Sequence, residues 1–169
     1  MDFALGVLLF VSLATVHAPH GDQHVRAIDA RLRAVIDDGV AHSAVFRNLV
    51  AQLDASDVIV YAESVCIMPQ GLIGRLTFMS AAGGRRFVSV RIRCALTGVQ
   101  QIASLGHELR HAVEIAAAPS VVDETSLAAE YRRIGFPSRA IDKGFDSRAA
   151  IETGERIAAE LGNFGKRSR

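Results

Sequence analysis

The chain has 169 residues, half of them hydrophobic and 22% charged, with a formal charge of +1. That is enough apolar surface for one core and one domain, and too little net charge to draw in nucleic acid or an anionic membrane surface. The basic cluster Lys166, Arg167, Arg169 reads as a solvated tail.

Phe3 to Val16 is a weakly polar stretch followed by Val16-His17-Ala18. It is too short to span a bilayer and suits the apolar region of a signal peptide, with Val16 and Ala18 where a signal peptidase takes small residues. Asp2 in place of a basic start and Pro19 after the cut count against this, and a buried amino-terminal helix is the alternative. The expectation is a leader over 1–18, a single domain over 19–169, and a periplasmic or secreted protein without a stable membrane anchor once the leader is removed. His20 and His24 then lie near the mature start as solvated chain, while His17 leaves with the leader.

From Asp22 to Leu53 apolar residues recur at helical spacing, broken near Asp37-Asp38-Gly39, which predicts two helices or one kinked helix. Three strands follow: 57–63, 72–80 and 85–94, separated by turns at Met68-Pro69-Gln70-Gly71 and Ala82-Gly83-Gly84. Val88, Val90, Ile92 and Cys94 alternate with Ser89, Arg91 and Arg93, so the sheet is buried on one side only. A small, mainly antiparallel meander is expected. Cys66 and Cys94, an even pair, bridge if the first and third strands are neighbours and the compartment is oxidising.

At Thr97 the period changes to 3.6, with Thr97 and Gln100 as a capping box and Ile102, Leu105, Leu109, Ala112 and Ala116 along one face. Another helix runs from about Asp123 to Ile134 and stops at Gly135-Phe136-Pro137. A last one starts near Asp146 and carries Ala150, Ile151, Ile157, Ala158 and Leu161.

His107-Glu108-Leu109-Arg110-His111 is an H-E-x-x-H pattern. Histidines four apart on a helix point the same way, so both imidazoles can bind one zinc, with Glu108 beside the open coordination position as general base. They fall roughly opposite Leu105 and Leu109, facing a cleft. A surface helix with solvated histidines is the bland reading. A di-iron bundle would need a second Glu-x-x-His, which the chain lacks.

The run Gly106-His107-Glu108-Leu109-Arg110-His111-Ala112-Val113 resembles the active helix of thermolysin-type gluzincins. More of the chain, from about Asp57 to Leu161, is similar to a family of small, largely uncharacterised bacterial proteins with an H-E-x-x-H helix. That likeness rests on Asp57-Val58-Ile59-Val60-Tyr61, Arg86-Phe87-Val88, the helix through Glu114, Tyr131-Arg132-Arg133-Ile134-Gly135 and Phe145-Asp146-Ser147. It implies a zincin-like α+β fold without an established substrate. Glu-Thr is usual in that family where this chain has Asp146-Ser147, which shortens the reach there.

A catalytic zinc needs a third protein ligand. Glu114 is seven residues after His107, about 10 Å along a straight helix, so an ion pair with Arg110 or support of a ligand suits it better. Glu130 has nearly gluzincin spacing from His111. Asp146, at a helix start, is narrowly preferred over both, and Asp123, Glu124 or water share the remainder. Tyr131, beside Glu130, is a candidate oxyanion donor. The expected function is a zinc-dependent hydrolase of peptides or proteins, with 85–94 as an edge strand that pairs with substrate. The competing class is an exported zinc-binding protein without hydrolytic activity.

Overall fold

In the computed structural model of the protein the described residues are 23–138 and 144–167, the last five as backbone only. The proposed leader lies outside them. Three residues first read as part of a helix form a strand, β1 (Val25–Ala27), and the helical period begins at α1 (Ala30–His42). Asp29 caps α1 through the amide of Leu32. His24, expected as solvated chain, is buried beside β1, with its Nε2 3.1 Å from Arg85 Nη1.

The break falls at Ser43 instead of Asp37-Asp38-Gly39. Ser43 closes α1 with its amide on the Gly39 carbonyl, and its hydroxyl oxygen accepts from Phe46 N to open α2 (Ala44–Asp54). Gly39 stays helical because its missing side chain is needed for packing: a Cβ there would stand 2.7 Å from the ring of Phe46, which is fully buried.

β2 (Val58–Val65), β3 (Gly74–Ala82) and β4 (Arg85–Arg93) complete a sheet of order β1-β2-β4-β3. The expected meander is not what forms, and the sheet is mixed instead of mainly antiparallel. β3 and β4 make the predicted hairpin, turning through Gly83 and Gly84 at φ of 58° and 72°, the left-handed values such tight turns require. The segment between β2 and β3 carries the chain past one strand position, so β4 enters between them, parallel to β2, and β1 adds parallel to the far side of β2. β4 is therefore interior, and β3 and the short β1 are the edges.

Val58, Val60 and Ala62 of β2, Val88, Val90 and Ile92 of β4 and Phe78 of β3 form the inner face of the sheet. α3 (Gly98–Ala117) lies across that face through Ile102, Leu105, Leu109 and Ala112. Its start is braced by Gln100, whose Oε1 accepts from the amide and hydroxyl of Thr97. Its end is braced by Arg86, which donates to the carbonyls of Ile115 and Ala118 at 2.7 and 2.8 Å while pairing with Asp57. α4 (Glu124–Ile134), a two-strand hairpin of β5 (Phe136–Pro137) and β6 (Phe145–Asp146), and α5 (Arg148–Arg167) follow, with α5 packed along α3.

Because β2 and β4 run parallel, Cys66 and Cys94, each one residue past its strand, reach the same end of the sheet. They form a disulfide with Cα atoms 4.9 Å apart. The bridge closes a loop of sequence separation 28 that contains β3. Replacing both cysteines by serine is expected to cost about 3 kcal/mol of unfolding free energy. Urea titration of the double variant beside the wild type, with and without reductant, measures this. A wild type whose midpoint ignores reductant would show that the bridge contributes nothing.

Candidate metal centre

His107 and His111 stand one turn apart on the side of α3 turned away from its most deeply buried face. Their ring centroids are 4.9 Å apart and the rings nearly perpendicular. The Asp146 carboxylate is brought to them by β6, with Oδ1 3.4 Å from His107 Nε2 and 3.5 Å from His111 Nε2. The three ligand atoms lie within 4.8 Å of one another. N–H···O hydrogen bonds run about 2.7–3.2 Å, so both separations are long for direct bonds. They match instead the edge of about 3.3–3.4 Å between ligands that share a tetrahedral ion at 2.0–2.1 Å.

Asp146 is held by its own short element. β6 pairs with β5 through Phe136 and Asp146, and the Phe145 ring stacks on Tyr131 at 6.4 Å. Gly135 lies so close that a Cβ there would stand 2.4 Å from the Asp146 carbonyl oxygen. The N-cap of α5 is Ser147, not Asp146: Ser147 Oγ accepts from Ala150 N at 3.0 Å. Asp146 accepts the Ser147 amide at 2.7 Å on the oxygen that faces the imidazoles.

On the far side of His111, Nδ1 is 2.9 Å from Glu114 Oε2. A carboxylate there holds a proton on Nδ1 and turns Nε2 toward Asp146. Tyr131 donates its hydroxyl to the same Glu114 oxygen at 3.0 Å, and Ser147 Oγ donates to Glu114 Oε1 at 2.7 Å. Glu114 thus backs His111 and is not one of the grouped ligand atoms. Tyr131, a candidate oxyanion donor by sequence, has its hydroxyl between Glu114 and His111 Nδ1. Glu130 is paired with Arg133 of its own helix, Asp123 caps α4, and Glu124 lines the cavity wall.

The centre opens on a cavity of about 610 Å³ between β3, α3, α4 and the start of α5, with Leu72, Leu76, Phe78, Leu127 and Ile151 among its apolar lining. Glu108 lies in its wall, against the edge strand: a Cβ on Gly74 would come 2.6 Å from Glu108 Oε1, and the backbone of Leu76 hydrogen-bonds the carboxylate. Burial pushes the Glu108 carboxyl up to about 7, against the opposing pull of His111. Burial also opposes charge on His111, but the nearby Asp146 and Glu114 carboxylates win and raise it to about 9. His107 is lowered by burial and by the charge of its neighbour. Nitrogen, nitrogen and carboxylate oxygen from His107, His111 and Asp146 converge at one place, and this donor set fits a divalent ion.

The sequence pointed to the histidines and Asp146 but not to Ser147, Gly135 or Gly74. The Gly135-Phe136-Pro137 run, read only as a helix stop, was the one available signal for the hairpin. Gly135→Ala is expected to cost about 2 kcal/mol, since the clash is with backbone. It should also shift the Asp146 resonances, which denaturant titration and amide NMR spectra check; an unchanged midpoint would remove the close approach from the account. Compared with protein families, curated proteins and solved structures, the chain matches none, so its functional reading rests on this geometry.

Proposed function

We propose that the protein is a zinc-dependent hydrolase whose ion is held by His107, His111 and Asp146, with peptide bonds as its target. The observation that carries this is the pair of 3.4 and 3.5 Å separations from one Asp146 oxygen to two imidazole nitrogens. A divalent ion bound there acidifies coordinated water and stabilises negative charge on a carbonyl oxygen.

The remaining work falls to the chain itself. Glu108, in the cavity wall beside the histidines, accepts a proton from attacking water and passes it to the leaving amine. Asp146 and the His111 ring hold their geometry because Glu114, Ser147 and the β5–β6 hairpin fix them, and His107 is hydrogen-bonded by the backbone of Ala150. The apolar wall excludes water around substrate, and residues 74–78 of edge strand β3 offer backbone groups to an extended peptide. That role passes to β3 because β4, first expected to hold it, has both sides paired.

The H-E-x-x-H helix behind a sheet strand and the resemblance to thermolysin-type gluzincins support a zincin-like assignment. The disulfide and the apolar segment Phe3 to Val16 support export to an oxidising compartment. Among the described residues no helix is long and apolar enough to cross a membrane.

Metal analysis should find about one zinc per chain in the wild type and none in His111→Ala or Asp146→Ala. Glu108→Gln should keep the ion and lose roughly 10³-fold in peptide turnover. A purified protein without stoichiometric metal overturns the reading, and one that holds zinc yet cleaves no peptide is a binding protein instead.

A further inference from the structure

We propose that Ser147 is a positioning residue of this centre, which couples the carboxylate ligand to the imidazole ligand through Glu114. This rests on the metal reading above. Ser147 is 2% exposed, and both capacities of its hydroxyl are used: the oxygen accepts from Ala150 N, and the proton goes to Glu114 Oε1. Its amide holds the Asp146 oxygen that faces the two imidazoles. One residue therefore touches the ligand from β6 through its backbone and the support of the ligand from α3 through its side chain.

Glu114 is where the two converge. Its Oε2 takes His111 Nδ1 and the Tyr131 hydroxyl, and its Oε1 takes Ser147. Without the serine hydroxyl Oε1 is left facing Arg110 Nε at 3.7 Å, beyond hydrogen-bond length. The carboxylate is then free to turn, and the His111 ring loses the fixed direction of its Nε2. A serine that only capped α5 would affect folding without acting on the ion through Glu114.

Zinc affinity, measured by competition with a chromophoric chelator, separates the two roles. Ser147→Ala should weaken binding by about 10-fold, the low end for loss of a ligand's support, and Ser147→Thr should restore it to within about threefold. In a Glu114→Gln background, Ser147→Ala should add less than about twofold, because the path it acts through is already broken. Ser147→Gly, which removes the donor but remains acceptable at a helix N-cap, serves if the alanine variant does not fold. Unchanged affinity in Ser147→Ala, or the same loss in both backgrounds, overturns the proposal. A wild type that takes up no zinc sinks the metal reading and this coupling with it, an outcome distinct from either of those.

Discussion

A buried carboxylate tolerates removal from water only when its oxygens are fully hydrogen-bonded, and Glu114 meets that condition by drawing on three separate elements. Burial alone would raise its carboxyl. The bonds from His111, Ser147 and Tyr131 outweigh that and hold it below the usual glutamate range. The donors come from α3, α4 and the link between β6 and α5, so one charge fixes how those pieces meet. The placement of Asp146 against the histidines follows from that meeting. Helix spacing makes the imidazole pair, but tertiary packing makes it a three-point site.

The rest of the fold orients this junction. α3 is anchored at both ends, by Gln100 on Thr97 at its start and by Arg86 on its last carbonyls. Its histidines consequently have a fixed height above the sheet. Because β4 is enclosed by β2 and β3, β3 is left as the outer strand on the side that lines the cavity. Gly74 on that strand lets the backbone approach the Glu108 carboxylate, so the proposed base, the ligands and the free edge share one wall. The disulfide closes the loop in which this edge strand lies.

Local pattern was readable where one period dominates. The alternation in β4, the 3.6 period of α3, the Thr97 and Gln100 start and the end of α4 at Gly135 were all visible because each is set by residues within a turn or two. Strand order was not, since β2, β3 and β4 have patterns equally compatible with a meander and with β4 inserted between the others. The cysteines needed the first and third strands to be neighbours in order to bridge, a condition met because β4 lies beside β2. β1 was hidden because three residues containing one core valine fit a helix face as well as a strand. Gly39 looked like a break because the Phe46 ring that requires it lies seven residues on, across the turn. The choice among Asp146, Glu130 and Glu114 depended on contacts between elements, and no periodicity within any one element encodes those.

Asp146 shows how such a contact offsets a local shortfall. Aspartate is shorter than glutamate by one methylene, so the backbone must come near for its carboxylate to reach the imidazoles. The hairpin supplies that approach. Gly135 presents no side chain to the Asp146 carbonyl, Phe145 stacks on Tyr131, and Ser147 takes over the capping of α5 that aspartate would otherwise perform. The carboxylate is then 24% exposed and open to the cavity, with one oxygen directed at both rings. A carboxylate placed by backbone approach depends more on its neighbours than one placed by its own length. That is why the residues flanking Asp146 belong to the centre as much as the aspartate does.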